Sequence, residues 1–433
     1  MRFEREIPEK EIISRGGKMS KIVRLPQYKW TDEREVEYHL PDNWDVTTYD
    51  FAGANRPVMN PAQVKAAITS PIGSPRLRDL ARGKKKVIIL FETMIQPARL
   101  SKAVTALLEE LKEGGINDNQ IEFICANGGE QIWTLEDFKN KLGADIPSRF
   151  PVFNHCPFMN CTSVGKTSYG KRVEVNTEVM SCDLKITIVG NLPHGRFGFT
   201  GACSIIMPGI SSYEALTQYN KLGIIQGGFT YKRGLAEGNP NTLDAMEMAK
   251  MVNIDFTVNI LQNNWGEPVA VYAGALEPAY WAVVKDGNSH FHVDCPRDND
   301  IVIANTFAQP HLAVFHRGDD AMRYIKPTGG SVVIITNVIA GQVILYNASS
   351  FGKTIGGIQF TRHPIPGNID HYVIHSEFPE ARTPDNYDQK DRVKINCINS
   401  WTDVVLSLLN WHGSKAKVAV LIDAPLSIDN RSL

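Results

Sequence analysis

The feature that most narrows the fold is the run Val87-Ile88-Ile89-Leu90-Phe91, which follows three lysines and has no polar residue on either face. A strand that is apolar on both faces must be covered on both, and helices returning from its ends supply that cover. Residues 100–113 (LSKAVTALLEELKE) carry helical periodicity and stop at Gly114-Gly115, a helix C-terminal signal. The alternation continues with an apolar strand over 121–126, a short helix over 135–142 and a strand over 184–190. Strands alternating with helices, without a strict period of two, predict an α/β fold around a buried parallel sheet. Such sheets bind ligands at the carboxyl ends of their strands, where strand order reverses. The loops 92–97, 127–131 and 191–209 are therefore the expected site.

The chain has 433 residues, too many for one ordinary core, and two domains are expected. Beyond the turn-rich GNPN the pattern predicts a helix over 242–252 and a strand over 256–261. After the polar turn QNNWGEP it predicts strands over 269–272, 300–305, 331–337 and 417–422, with a helix over 319–325. We place the boundary near residue 270, giving domains over 19–270 and 271–433. Residues 1–18 precede Met19 as an upstream tail to which no function is assigned.

Charge excludes one class of partner. Forty-six basic residues against 47 acidic ones give a formal charge of −1, without the basic footprint of a nucleic-acid binder. The longest apolar runs are strand-sized, short of the roughly 20 residues of a membrane span. The N-terminus lacks a secretory apolar segment, so a cytoplasmic protein is expected. Seven cysteines without a CxxC pair read as reduced thiols. His155 and Cys156 with Cys161 are the nearest approach to a metal cluster, but no second pair follows at zinc spacing and no metal site is assigned. His155 reads instead as structural. His290 and His292 alternate as on a strand and receive no role.

The densest chemistry lies in VGNLPHGRFGFTGACSIIMPGI, with five glycines between Gly190 and Gly209. Glycines at that density let backbone amides approach an anion; a plain strand-to-helix turn explains them equally well. The spacing is neither GxGxxG nor GxxxxGK[ST], so no dinucleotide fingerprint or P-loop is read. Cys203 reads as a small packing residue.

From about Pro61 to Tyr280, and more weakly to the end, the chain resembles the lactate racemase family, whose members use a nickel-pincer nucleotide. The resemblance rests on PIGSPRL (71–77), LFETMIQP, the helix with GGI, ANGGEQ, KLG followed by His155, NLPHGRFGFTG, IMPGI, GNPNTLDAMEMA and FTVNILQN. It implies a larger N-terminal α/β domain carrying the nucleotide, a smaller C-terminal α/β domain, and substrate in a cleft between them. The implied chemistry moves a hydride from a 2-hydroxy acid to the cofactor and back, with two histidines taking turns on the hydroxyl proton.

The comparison is uneven residue by residue. His194 keeps one acid/base histidine, whereas Glu130 stands where the family's AxGxHR pattern has the other. Thr93 and Gln96 replace the acid and the arginine of the family's Asp-x-Thr-Arg-Pro turn. Ser204 occupies the place of the lysine that holds the cofactor covalently, and Asn220 that of a metal-binding histidine. The resemblance thus implies His194, and Glu130 at the matching position, as catalytic residues; Arg196 and Arg317 are candidates to hold a substrate carboxylate through a bidentate fork, with a plain surface arginine as the alternative for each. Any cofactor would be contacted by Thr93, Gln96, Gly198, Gly201 and Ser204, with no metal ligand. The nucleotide is expected not to be covalently bound, or no cofactor to be used. The expected function is racemase- or epimerase-type chemistry on a small 2-hydroxy acid; the alternative is a cofactor-free protein that binds a small organic acid. A homo-oligomer is compatible with the sequence.

Overall fold

The computed structural model describes residues 19–225, 233–312, 318–341, 365–379 and 394–429. Residues 1–18 and Arg317 lie outside the described residues. In chain order the strands are β1 (Lys21–Gln27), β2 (Arg34–Leu40), β3 (Asp45–Tyr49), β4 (Val87–Phe91), β5 (Ile121–Cys125), β6 (Val152–Asn154), β7 (Cys161–Lys166), β8 (Arg172–Asn176) and β9 (Leu184–Gly190). They continue with β10 (Pro193–His194), β11 (Gly198–Phe199), β12 (Phe256–Gln262), β13 (Pro268–Gly274), β14 (Ile301–Asn305), β15 (Gly330–Ile335), β16 (Ile369–His375), β17 (Ile395–Ile398) and β18 (Lys417–Leu421).

The apolar runs become the middle of the first sheet. Every residue of β4, β9 and β12 is buried, as expected of strands covered on both faces. The sheet order is β13-β12-β9-β4-β5-β6. All neighbours are parallel except β13, which returns antiparallel to β12. The helix Ser101–Glu113 buries Val104, Leu107 and Leu111, together with Glu110, whose carboxylate is gripped by Arg76 and Arg78. The helix Leu135–Leu142 starts at a Thr134–Asp137 capping box. From β4 the chain builds outward through β5 to β6, then crosses back to place β9 on the other side of β4. The strand order therefore reverses between β4 and β9, and the loops leaving these two strands flank the switch point.

The second sheet, in order β17-β16-β15-β14-β18-β3, is parallel throughout. A β1–β2 hairpin contributes Val23, Leu25 and Tyr38 to a core shared with Ile303, Val333, Val404 and Leu408. The helix Trp401–His412 supplies the last two of these. Two compact units result: Ala52–His292 forms one, and β1–β3 group with the strands from β14 onward in the other. The sequence reading cut the chain once, near residue 270. In the structure β13 pairs with β12, and the helix Leu276–His290 packs on both, so this stretch stays with the first sheet.

His290 closes that helix, which corrects the strand reading of His290 and His292. Its Nε2 lies 3.0 Å from the Gln262 carbonyl oxygen, and burial lowers its pKa to about 4. Among the described residues no helix is long and apolar enough to cross a membrane.

Candidate functional site

At the switch point, the first residue beyond β4 is Glu92, 3% exposed. Its Oε2 accepts the Gly190 N–H at 2.8 Å and its Oε1 accepts from Lys141 Nζ at 2.7 Å. Lys141, from the helix Leu135–Leu142, also donates to the Gln96 carbonyl at 2.7 Å. One ammonium and one carboxylate thus tie the loop after β4 to the end of β9. Burial pushes Glu92 up to about 7, against the pull of Lys141 and the Gly190 amide.

The loop after β5 carries Glu130, held by its amide to the Asn127 carbonyl at 2.8 Å. Burial pushes the Glu130 carboxyl up to about 8, and a hydrogen bond from the Thr93 side chain pulls the other way. Gly128 donates to the Gly209 carbonyl at 2.8 Å, which seats this loop against the end of the glycine-rich segment. Glu130 Oε2, Asn127 Oδ1, Asn191 Oδ1 and both amide atoms of Gln262 are buried without a hydrogen-bond partner among the described residues. All sit at or just beyond the carboxyl ends of β5, β9 and β12, where a ligand or ordered water would satisfy them.

The glycine-rich segment folds back as the small β10–β11 hairpin, with His194 opposite Gly198. Asn191 Nδ2 donates to the Thr200 carbonyl at 2.7 Å, and the Thr200 hydroxyl accepts the Leu192 N–H at 3.0 Å. Inside this staple His194 is half-buried, and its Nδ1 faces two backbone donors, Arg196 N–H at 3.1 Å and Phe197 N–H at 3.3 Å. Its ring stacks on Phe197 with centroids 5.1 Å apart, and Phe197 stacks on Tyr219 at 6.2 Å. The Arg196 guanidinium stands over the Tyr219 ring at 5.2 Å, and burial lowers its pKa. Lys171 Nζ also stands over Tyr219, at 4.3 Å, while paired with the buried Asp244 at 2.8 Å. This column fixes where Arg196 and His194 leave the backbone.

Both loop glycines assigned to cofactor contact are pressed against protein. Gly198 has φ +72°, and a Cβ there would lie 2.2 Å from the Leu235 carbonyl carbon. At Gly201 a Cβ would meet the Tyr280 ring at 2.6 Å. Ser204 Oγ donates to the Gly201 carbonyl at 2.7 Å and accepts the Gly201 N–H at 3.2 Å. Burial pushes the neighbouring Cys203 thiol up to about 12, which keeps it protonated.

Glu130 and Thr93 are thus brought together, as are His194 and Arg196. Gln96 enters through its carbonyl, on Lys141. Arg317 and the side chain of Asn220 fall outside the described residues. Among the described residues no group of three or more His, Cys, Asp or Glu is arranged to hold a metal ion. His155 is buried, with Nε2 3.0 Å from the Ser211 carbonyl and Nδ1 3.2 Å from Asn176 Nδ2.

The sequence reading missed Lys141 and Asn191. Nothing in LEDFKNKL sets Lys141 apart from Lys139. The sequence signal for Glu92 is an acid set directly at the end of the apolar strand 87–91, in the loop 92–97.

The segment 31–228, which contains all of these strand-end loops, matches the family model described as the lactate racemase N-terminal domain. Over this segment the chain is similar to the lactate racemase family. It is 29% identical over 219 residues to a lactate racemase of Thermoanaerobacterium thermosaccharolyticum, covering 50% of this chain and 51% of that one. It is 24% identical over 286 residues to a lactate racemase of Lactiplantibacillus plantarum, covering 64% and 66%. The chain therefore spans only about half to two-thirds of the length of these two relatives. The fold also matches the lactate racemase apoprotein of T. thermosaccharolyticum, with a TM-score of 0.71 at 19% identity over 95% of this chain and 100% of that one. A Thermotoga maritima protein matches with a TM-score of 0.62 at 15% identity, over 85% and 97%.

Proposed function

We propose that this protein, similar to lactate racemases over its N-terminal segment, takes a small 2-hydroxy acid at the carboxyl ends of β4, β5 and β9 and performs racemase- or epimerase-type chemistry on it. Glu130 and His194 would handle the hydroxyl proton and Arg196 would hold the carboxylate through its planar fork. Inversion at C2 needs in addition a hydride acceptor, which a non-covalently bound nicotinamide-type nucleotide would supply. The observation that carries this reading is Glu130. Its carboxyl group is poised near neutrality by burial and touched by Thr93 from the neighbouring strand end, as a proton-transfer group at neutral pH must be.

Ser204 favours a second reading. Its hydroxyl is committed to both backbone groups of Gly201, and no amine stands there to anchor a nucleotide. The donor set does not fit a covalently attached nickel-pincer nucleotide, and no chemical step is routed through that group. A cofactor-free protein that binds a small organic acid is the alternative this observation supports.

One experiment separates them. Chiral analysis of a panel of 2-hydroxy acids incubated with the protein, with and without added nickel-pincer nucleotide, is run beside a thermal-shift screen of the same acids. Interconversion supports the enzyme. A rise in melting temperature without interconversion supports the binder, because a ligand stabilises by RT ln(1 + [L]/Kd). Neither response from any acid contradicts both.

A further inference from the structure

We propose that Thr93 is a positioning residue for Glu130, and that the buried Lys141 holds Thr93 in place by fixing the loop that carries it. Thr93 is the second residue beyond β4, buried, and its hydroxyl donates to the Glu130 carboxylate. The Gln96 N–H donates to the Thr93 carbonyl at 3.2 Å, which closes a turn over residues 93–96. Lys141 Nζ spans the two sides of that turn, 2.7 Å from Glu92 Oε1 and 2.7 Å from the Gln96 carbonyl. The Lys141 carbonyl in turn accepts the Leu100 N–H at 3.0 Å, where the chain enters the helix Ser101–Glu113. One side chain thus sets the course of the backbone before and after Thr93. The loop of Glu130 is held separately. Ala126 N–H donates to the Phe91 carbonyl at 2.8 Å, and Gly128 N–H to the Gly209 carbonyl at 2.8 Å. Gly128 has φ +50°, and a Cβ there would lie 2.9 Å from the Pro208 carbonyl oxygen, so the close seat of this loop requires glycine. Two independently anchored loops meet at one hydrogen bond, and displacing either by about an ångström breaks it.

The bond has a consequence for the chemistry, which rests on the reading that Glu130 moves a proton. Burial favours the neutral carboxyl, whereas a hydroxyl donated to the carboxylate favours the ionised one. Among the described residues the Thr93 hydroxyl is what opposes burial at this carboxyl. The balance of the two leaves Glu130 able both to take and to give a proton near neutrality. Without Thr93 in place it keeps its proton and cannot act as a base. The other titratable groups about the end of β5 are Cys125, kept as a thiol by burial, Asp137 in its capping box with Thr134, and the Glu92–Lys141 pair, whose charges offset each other. Lys141 therefore acts on Glu130 through the position of Thr93 and not through its own charge.

A titration of Glu130 itself tests this. In the full-length protein labelled with glutamate carrying ¹³C at Cδ, the Glu130 signal is assigned by its loss in Glu130→Gln and followed by NMR as pH is raised. Wild type should titrate at about 8. Thr93→Val, of nearly the same shape without the hydroxyl, should titrate about one pH unit or more higher. Thr93→Ser, which restores the hydroxyl, should return close to wild type. Lys141→Met should shift the signal in the same direction as Thr93→Val, and Thr93→Val/Lys141→Met should go no further than Thr93→Val alone, because both act through one bond. Should Lys141→Met fail to fold, Glu92→Gln/Lys141→Met, which leaves no buried charge, takes its place. A Thr93→Val signal that titrates with wild type would overturn the role of Thr93. A Lys141→Met shift that is absent, or that adds in full to that of Thr93→Val, would overturn the link between the two residues. The titration needs no substrate, so a wild-type protein that interconverts no acid contradicts the proposed reaction and leaves the positioning as it is.

Discussion

Glu92 Oε2 lies 2.8 Å from the amide of Gly190, so a side chain from the end of β4 is hydrogen-bonded to the last residue of β9 across the point where the strand order reverses. With Lys141 on its other oxygen, this carboxylate joins two of the three strand-end loops that carry the candidate site.

Removing one partner of that pair leaves the other charge buried, which costs about 3–5 kcal/mol in comparable sites. Glu92→Ala and Lys141→Ala should each lose stability of that order in urea unfolding. The double variant Glu92→Gln/Lys141→Met should lose clearly less than the two single losses combined. Additive losses would show that the two residues act independently.

Glu130 makes stability depend on pH in the opposite sense to an ordinary surface carboxylate. Its folded-state pKa of about 8 lies above the ordinary 4.5, so the folded chain holds this proton more tightly than the unfolded chain. The resulting stabilisation is complete below about pH 4.5 and is lost as pH rises through 8. Glu130→Gln keeps the neutral shape without the titration. Its stability relative to wild type should therefore improve between pH 5 and 9, by roughly 1–3 kcal/mol. A difference that stays flat over that range in thermal unfolding would contradict the buried carboxyl.

Ser204 should behave as a cap and not as an anchor. Ser204→Ala loses the reciprocal bonds to Gly201 and should cost about 0.5–2 kcal/mol. After co-expression with the cofactor-making enzymes, intact mass spectrometry should return the unmodified chain mass, and metal analysis well under one nickel per chain. An adduct on the chain would show that attachment occurs at a residue other than Ser204.

The sheet cores were legible because burial on both faces leaves an uninterrupted apolar run. The expected strand over 184–190 and helix over 135–142 match β9 and Leu135–Leu142 end to end. β1–β3 went unread because REVEYHL and DVTTY are polar on one or both faces, and β3 sits at the edge of a sheet whose other strands lie some 250 residues or more away in sequence. In the site, His194 and Glu130 could be placed by motif and strand-end position. The Lys141–Glu92 pair could not, because two charged residues 49 positions apart show no partnership until the helix is folded onto the sheet. The two amides on His194 were equally hidden, since backbone direction in a glycine-rich turn leaves no mark on side-chain pattern.

The most direct test of the account is chiral analysis of the 2-hydroxy acid panel with wild type and Glu130→Gln side by side, each supplied with and without nickel-pincer nucleotide. Loss of a general acid/base group typically removes a factor of about 10² to 10⁴ in rate. The account predicts interconversion of at least one acid by wild type and a fall of about a hundredfold or more in Glu130→Gln, whose fold and melting temperature at pH 6 should remain close to wild type. Interconversion that is undiminished in Glu130→Gln, or absent from wild type under every condition, would contradict it.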